Sequence, residues 1–474
     1  MGLTQHRRGI DNVRMLCNLL LMRGNIGRDG AGICPVRGHS NVQGQRTVGI
    51  SEKPELVPLD RLAEQYGFEP PREKGLDTIG TVEGVLDGSV RAFIGMGGNF
   101  ARAAPDTYRL EEAWKRLRLT VNVATKLNRG HLLCGEVSLL LPCLGRLERD
   151  VQATGDQKVS MEDSTTCIHA SLGTHEPASP DLLSEPAIVA GMAKAILGDA
   201  SRAPWDDWVA DYSLVRDAIE ATYPVDFAEF NDRLHTPGGF PRKIAARERR
   251  WETDSGRAEF MVPETLCAPG FDDAQGRYRL VTVRSNDQFN TTIYGYRDRF
   301  RGIDGTRRVL MMSPEDIEQS GLEDGDPVDV LTDAAVEEGG ETVERAVGGL
   351  RVVARNLPRG CIVGYSPSST RCCPSATTPS RRGCRRANRS RCGCGRQRAT
   401  GRRRCRRARL PSEPGGVYFF ASTPSASRSM KVWVTSGRLS STHCAMASSW
   451  ARICSHTRCV SASPACFAAA MSAV

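Results

Sequence analysis

The sequence predicts a mixed α/β protein with a doubly wound sheet, an incomplete C-terminal β-barrel and a disordered tail. Three observations lead to this prediction. An apolar strand, a glycine-rich turn, a helix and a second strand follow one another over residues 90–124. Short strand-like runs separated by turns begin at Tyr278, and the composition changes abruptly after Gly364.

The first predicted element is a helix over residues 9–24, whose apolar side chains recur with helical spacing before Gly24 ends it. A loop rich in glycine and polar residues follows over residues 25–49. Glycines at this density either bring the backbone close to another group or form a long surface loop. The residues alone leave both interpretations open.

The predicted sheet begins with a buried strand in residues 90–101, VRAFIGMGGNFA, which ends in a glycine turn. Thr107–Leu117 predicts a helix, Leu119–Ala124 a second strand that leads into TKLNRG, and Leu139–Pro142 a third. In doubly wound sheets ligands bind beyond the carboxyl ends of the strands. The segment GMGGNF departs from GxGxxG, so by itself a structural turn explains it equally well.

The second half of the organised region begins with helices over residues 181–221 and an irregular connection over residues 228–275. From Tyr278 three β-runs surround one short helix that Ser313 is placed to cap. This pattern predicts a compact barrel that the change after Gly364 truncates.

The net charge of +9 is concentrated in the tail, where 20 Lys and Arg residues face a single acid, Glu413. Ten of the 17 cysteines also lie after Gly364. A basic arm for nucleic acid would use such arginines, and a metal site would use such cysteines, although the CxxC pairs of a zinc site do not occur there. We favour a third interpretation, translation of a GC-rich gene in a shifted frame, because a one-base shift permits an alternating, cysteine-free sequence.

Nothing in the sequence predicts a membrane protein. No run of 18 apolar residues occurs, and the first residues, MGLTQHRRGIDNVRM, lack the apolar core of a secretion signal. The expected location is therefore the cytoplasm.

Several segments in order resemble one family of enzymes. These are TQH, LLLMRGNIG, CPVRGHSNVQG and VRSNDQFNTTIYG, and SPEDIEQSGLEDGDPVDV is similar to the same family's C-terminal pterin-binding domain. Together they resemble the alpha subunits of molybdopterin-dependent oxidoreductases of the formate dehydrogenase-like class over roughly residues 1–364. Such subunits are longer, so the resemblance implies a C-terminal portion, with the iron–sulfur cysteines and the molybdenum ligand upstream of Met1.

The resemblance implies a division into five parts. These are the end of an α/β molybdopterin-binding domain (1–40), a second, guanine dinucleotide-binding α/β domain (41–200), a helical and irregular connection (201–275), a truncated molybdopterin dinucleotide-binding barrel (276–364) and the tail that we interpret as frameshifted and disordered (365–474).

The implied cofactor is bis(molybdopterin guanine dinucleotide) molybdenum, and the implied reaction is two-electron oxidation of formate or a similar small molecule. The 4Fe-4S cluster of the full-length parent would not be ligated by this chain, and an electron-transfer partner is expected. Two alternatives remain: a truncated product without activity of its own, and, more weakly, a protein that binds nucleic acid through its Arg-rich tail.

Two loop residues are the catalytic candidates that the resemblance implies. Arg37 stands where formate dehydrogenases place an arginine beside the metal, and a guanidinium can orient a carboxylate substrate. His39 occupies the position of an amide in those enzymes, so an ordinary loop histidine explains it equally well.

The implied cofactor contacts fall into four groups. Amides that match the pterin edge are Gln5, Asn41 and Gln43. Two segments at the ends of predicted strands would hold the nucleotide. The first contains Gly97, Gly98 and Asn99, and the second contains Thr125, Lys126 and Asn128. Asp163 is the candidate guanine partner, and the barrel loop that would close over the pterins contains Arg284, Ser285, Gln288, Asn290 and Thr291. Phe289, in the same loop, is predicted to pack in the core.

Overall fold

The computed structural model describes residues 3, 9–36, 39, 41–263, 277–289, 291–332, 335–336, 342–343 and 346–365, and four strands beyond them. The α-helices are α1 (Gly9–Met22), α2 (Val42–Thr47), α3 (Leu59–Tyr66), α4 (Thr78–Asp87), α5 (Phe100–Ala103), α6 (Thr107–Trp114), α7 (Glu185–Leu197), α8 (Trp205–Ala210), α9 (Tyr212–Thr222), α10 (Phe230–Leu234) and α11 (Pro314–Gln319). Short 3-10 helices are Pro54–Leu56, Arg129–Leu132, Gly198–Ala200 and Ala245–Glu248.

The strands up to Tyr365 are β1 (Ala92–Met96), β2 (Leu119–Ala124), β3 (Val137–Pro142), β4 (Val151–Gln152), β5 (Gly155–Asp156), β6 (Val159–Glu162), β7 (Cys167–Ser171), β8 (Phe240–Pro241), β9 (Arg277–Val283), β10 (Gln288–Phe289), β11 (Thr292–Ile293), β12 (Val309–Met312), β13 (Pro327–Thr332), β14 (Ala335–Val336), β15 (Thr342–Val343), β16 (Ala346–Ala354) and β17 (Cys361–Tyr365). The four later strands are β18 (Arg391–Arg396), β19 (Gly416–Ser422), β20 (Met430–Val434) and β21 (Arg458–Val460).

The first sheet is built on the parallel strands β1, β2 and β3. Strand β2 is buried along its length, as parallel strands covered by helices usually are. Helix α7 packs against β2 and β3, and helices α4 to α6 form a second cluster around Trp114, whose ring lies 4.7 Å from that of Phe93. Because β1 and β2 run parallel, their carboxyl ends lie at the same edge of the sheet.

A smaller three-stranded sheet, β6–β7–β8, packs against helices α9 and α10 around Phe230 and Phe240. Helix α2 contacts β6 of this sheet. The segment that follows the predicted catalytic loop is therefore held on this smaller sheet.

Six strands form a closed barrel in the order β12-β16-β13-β18-β9-β17. Its interior holds a cluster of buried apolar side chains from β9, β12, β13 and β16, among them Leu280, Leu310, Val328 and Leu350. Ser313 caps helix α11 by accepting the Asp316 N–H at 3.0 Å, as the sequence predicts.

The mixed α/β class and the presence of a C-terminal barrel are confirmed. The prediction that the barrel is incomplete is wrong, because β18 closes it between β13 and β9. A doubly wound sheet is not confirmed. The order β1-β2-β3-β19-β20-β21 adds strands on one side only and never reverses, so it lacks the switch point that defines a doubly wound sheet. Among the described residues, no helix has the length and apolar character needed to cross a bilayer.

The disordered tail is likewise not confirmed. Strand β18 pairs with β13 and β9 and completes the barrel, while β19 extends the first sheet beside β3. Strand pairing uses backbone groups, which every residue except proline supplies, so a basic segment can enter a sheet without a selected side-chain pattern.

Candidate functional site

Three loops meet beyond the carboxyl ends of β1 and β2. The first is the glycine turn after β1, where Gly97 donates its N–H to the Val123 carbonyl at 2.7 Å. Gly97 and Gly98 adopt left-handed φ values of 65° and 75°, and a Cβ on either would meet no atom within 4 Å. The turn therefore needs glycine for its backbone conformation, and it faces open space.

Asn128, in the loop after β2, connects that loop to the glycine turn. Its Nδ2 donates to the Gly98 carbonyl at 3.1 Å, and its Oδ1 accepts the Gly130 N–H at 2.8 Å. The third loop belongs to the barrel, where Thr291 Oγ1 accepts from Asn99 Nδ2 at 3.4 Å. The structure thus brings together five of the predicted site residues: Gly97, Gly98, Asn99, Asn128 and Thr291.

The Oδ1 atom of Asn99 is the most informative atom of the site. It is buried and accepts no hydrogen bond within the described part of the chain. A buried acceptor without a donor costs about 1–3 kcal/mol, and a ligand that donates to this oxygen would remove that cost. A Cβ at Gly130 would lie only 2.3 Å from this oxygen, which keeps that position small.

His131 is a site residue that sequence reasoning missed. Its Nδ1 lies 3.3 Å from the Asn128 backbone nitrogen, and its Nε2 lies 3.1 Å from Asn128 Nδ2. Burial lowers the pKa of the His131 imidazole, so it favours the neutral form that can accept. Asn128 and His131 form a capping box at the start of the short helix Arg129–Leu132. Their Asn-x-x-His spacing was the signal that the sequence offered for this residue.

Thr125 and Lys126 lie at the carboxyl end of β2 and are exposed. Asp163 is placed differently, at the turn between β6 and β7, where its Oδ1 accepts from Thr165 and Cys167. Partial burial raises the pKa of the Asp163 carboxyl, but these hydrogen bonds outweigh it and the pKa lies below its ordinary value. Its role with guanine stays a prediction.

Asn41 and Gln43 make their hydrogen bonds within the protein. Asn41 Oδ1 accepts the Glu162 N–H at 3.0 Å, and Gln43 Nε2 donates to the Glu162 carboxylate at 2.6 Å. Glu162 is buried and also accepts from Thr47. These contacts fasten α2 to β6, and contact between the two amides and a pterin stays a prediction.

The barrel loop is organised by Arg307, a second residue that sequence reasoning missed. Arg307 is only 6% exposed, donates from Nε to Ser285 Oγ at 2.8 Å, and donates from Nη2 to the Gly295 carbonyl. It therefore joins the two ends of the predicted pterin loop. No local pattern distinguishes it from its exposed neighbour Arg308, so the sequence contained no signal for it.

The other barrel-loop residues differ in burial. Ser285 and Gln288 are buried and hydrogen-bonded to each other, and burial lowers the pKa of the half-buried Arg284 guanidinium. Phe289 contradicts its prediction as a core residue, because it is 67% exposed and its ring stands edge-on to Tyr294. It lies in the two-residue strand β10, which pairs with β11 in a small sheet separate from the barrel.

The catalytic candidates are only partly described. His39 is exposed on the loop before α2. Gln5, Arg37 and Asn290 lie outside the described residues.

The residues present fit a nucleotide-containing cofactor. The turn offers the Gly98 backbone amide, which no side chain obstructs. Asn99 offers an acceptor that no described residue uses, and the absence of a side chain at Gly130 makes its position possible. Amides at a glycine turn bind phosphate, and an amide oxygen accepts from a sugar hydroxyl or a base. The arrangement is suited to holding such a group at the junction of sheet and barrel.

The barrel matches a known family. Residues 278–364 match the family model of the molydopterin dinucleotide binding domain, which spans strands β9 to β17. The match confirms the resemblance to molybdopterin-dependent oxidoreductases.

The similarity to individual proteins extends well beyond the barrel. Protein YdeP of Escherichia coli O6:H1 is 47% identical over 369 residues, which are 78% of this chain and 48% of YdeP. An oxidoreductase of Mycobacterium tuberculosis is 44% identical over 373 residues, 78% of this chain and 47% of its own. The F420-dependent formate dehydrogenase 1 alpha subunit of Methanococcus maripaludis is 33% identical over 127 residues, 26% of this chain and 19% of its own. The chain thus spans about half the length of YdeP and about half the length of the mycobacterial oxidoreductase.

Proposed function

We propose that the chain binds a molybdopterin guanine dinucleotide at the junction of sheet and barrel, as part of an oxidoreductase that uses bis(molybdopterin guanine dinucleotide) molybdenum. The single observation that best supports this is the unpartnered, buried Oδ1 of Asn99 between the glycine turn and Thr291. A dinucleotide would supply the missing donor from its ribose or base.

The residues have separate tasks in this proposal. The Gly98 amide binds phosphate, while the Gly97 amide keeps the turn on β2 through the Val123 carbonyl, and Asn99 accepts from the nucleoside. Asn128 keeps the glycine turn in place through the Gly98 carbonyl. Arg307 holds the barrel loop that contains Ser285 and Gln288.

The proposed parent reaction is the two-electron oxidation of formate or a similar small molecule. Partial similarity to F420-dependent formate dehydrogenase alpha subunits supports this substrate class. The cofactor supplies the redox chemistry when bound. The guanidinium of Arg37 would orient the substrate carboxylate through two parallel hydrogen bonds, beside His39. We also propose that a 4Fe-4S cluster, which the described residues do not ligate, and an electron-transfer partner serve this reaction.

Calorimetric titration of the 474-residue chain with GDP tests the binding proposal. Asn99→Ala should weaken GDP binding by about tenfold, since one hydrogen bond from a buried group is lost. Asn12→Ala is the matched control, because Asn12 is an amide on α1 that bonds only the Leu3 carbonyl among the described residues. Equal affinity of the wild type and Asn99→Ala would contradict the assignment.

A second candidate is a truncated or frameshifted product without activity of its own. Two observations favour it: the family match ends at residue 364, and the basic composition begins directly afterwards. The purified chain should then fail to reduce a dye with formate even after cofactor loading, whereas molybdenum-dependent turnover would refute this candidate. Resequencing codons 360–370 tests the frame directly. Nucleic-acid binding by the tail and the cytoplasmic location stay predictions.

A further inference from the structure

The segment with the proposed catalytic residues Arg37 and His39 leads into Asn41, whose side chain does not cap the helix α2 that follows it. The Asn41 amide lies instead along β6, the edge strand of the β6–β7–β8 sheet. Asn41 Nδ2 donates to the Ser160 carbonyl at 3.4 Å, and Asn41 Oδ1 accepts the Glu162 N–H at 3.0 Å. The amide thus satisfies two backbone groups of β6, as the peptide group of a neighbouring strand would.

Gly44 permits this contact between Asn41 and β6. A Cβ on Gly44 would lie 2.1 Å from Asn41 Oδ1 and 3.3 Å from Asn41 Nδ2. Gly44 lies within α2 and has no left-handed φ, so its backbone conformation does not require glycine. The space that the Asn41 amide occupies therefore explains the glycine at this position.

The Glu162 carboxylate holds α2 from the same strand. One of its oxygens accepts from Gln43 Nε2 at 2.6 Å, and the other accepts from Thr47 Oγ1. Glu162 is only 3% exposed, and a carboxylate buried to this extent needs such donors. The backbone and the side chain of Glu162 therefore both hold one segment, residues 41–47.

Arg242 compensates the charge of Glu162 through Thr47. Its Nη1 donates to Thr47 Oγ1 at 3.2 Å and lies 3.9 Å from the Glu162 carboxylate. Its Nη2 lies 3.7 Å from the Asp226 carboxylate, so Arg242 lies between two acids. An ion pair with a buried member is favourable only where hydrogen bonds complete it, and Thr47 supplies that bond.

We propose that Glu162 is a positioning residue for the segment that contains Arg37 and His39. These two residues precede Asn41 by four and two positions, so a shift of Asn41 moves the point from which they reach a substrate. A misplacement of about 1 Å can lower a reaction rate by about a hundredfold. This inference rests on the proposed function, because the position of the segment matters for catalysis only if Arg37 and His39 act on the substrate.

Hydrogen–deuterium exchange of the 474-residue chain tests the inference without cofactor or substrate. Gly44→Ala should speed exchange of residues 39–48 by about tenfold relative to a peptide covering α6, because the new methyl group displaces the Asn41 amide from β6. Alanine favours a helix more than glycine does, so helix propensity alone predicts slower exchange. Gly191→Ala in α7, where a Cβ meets nothing within 4 Å, is the matched control and should leave the exchange ratio unchanged.

Substitutions of Glu162 test the carboxylate itself. Glu162→Ala should speed exchange of residues 39–48 relative to α6, and Glu162→Gln should do so less, since the glutamine carbonyl keeps one acceptor. Both effects should be smaller in a Thr47→Val background, because one donor through which Glu162 acts is then absent. Glu220→Gln is the matched control, because it changes a partly buried carboxylate on α9 that accepts two backbone N–H groups away from α2.

Unchanged exchange of residues 39–48 in both Gly44→Ala and Glu162→Ala would overturn the inference. Equal acceleration of residues 39–48 and of α6 would also overturn it, since Glu162 would then stabilise the fold as a whole. None of these measurements needs nucleotide binding or turnover, which test the proposed function, so each can fail while the other holds.

Discussion

Replacing Gly130 by alanine tests the architecture of the candidate site. Gly130 does not have a left-handed φ, so alanine adds no backbone strain there. Its new methyl group would lie 2.3 Å from Asn99 Oδ1 and 2.9 Å from Asn128 Oδ1, so the nearer side chain must move. The Asn99–Thr291 hydrogen bond would then break, which should lower the free energy of unfolding by about 0.5–1.5 kcal/mol.

The larger effect should be on ligand binding. Displacing Asn99 removes the acceptor for the nucleoside, so GDP affinity should fall by about tenfold, or about 1.4 kcal/mol. Calorimetric titration measures the affinity, and urea denaturation measures the stability. The matched control is Gly191→Ala in α7, where a Cβ meets nothing within 4 Å. That control should raise the stability by about 1 kcal/mol and leave GDP binding alone. Wild-type GDP affinity in Gly130→Ala would refute this geometry.

Three further predictions concern other parts of the chain. Glu162→Ala should lower the free energy of unfolding by about 2–4 kcal/mol in urea denaturation, because the donors of Gln43 and Thr47 lose their buried acceptor; a loss below about 0.5 kcal/mol would contradict this. Burial raises the pKa of Asp298, but hydrogen bonds from Tyr365 and Arg301 outweigh it, so the folded-state pKa lies below its ordinary value. The stability that Asp298 contributes should therefore be present at neutral pH and be lost as the pH falls below about 4. Urea denaturation between pH 3 and pH 7 measures this dependence, and Asp298→Asn should reduce it. In a longer protein that also contains the metal ligand, Arg37→Lys should lower kcat/KM for formate by about a hundredfold while the molybdenum content stays unchanged. If the variant loses its molybdenum instead, Arg37 is a cofactor-binding or folding residue.

Local patterns predicted the elements better than their assembly. The helix at residues 9–24 is confirmed as α1, and the strand at 119–124 is confirmed as β2, because period and burial are local properties. The doubly wound sheet was not confirmed, because the order of strands depends on contacts between distant segments that no local pattern encodes. The tail was predicted to be disordered because of its side-chain composition. Strand pairing uses backbone groups, so composition did not reveal the strands β18 and β19.

The candidate site was predictable where a backbone requirement leaves a mark in the sequence. Gly97 and Gly98 marked their turn. The family resemblance predicted Asn128 as a nucleotide contact, which stays a prediction, and its hydrogen bond to the Gly98 carbonyl was not predicted. Arg307 was not predictable, because burial alone distinguishes it from Arg308. The internal hydrogen bonds of Asn41 and Gln43 depend on Glu162, about 120 residues away, which no local reading connects to them.

Hydrogen–deuterium exchange with and without GDP tests the central claim, that three separate loops form one nucleotide site. GDP should slow exchange in peptides that cover residues 95–100, 126–131 and 289–293 together, because the ligand contacts each loop and stabilises their junction. A peptide covering α7 (Glu185–Leu197) should exchange at the same rate in both conditions. Protection of none of the three loops, or protection confined to one of them, would contradict the claim.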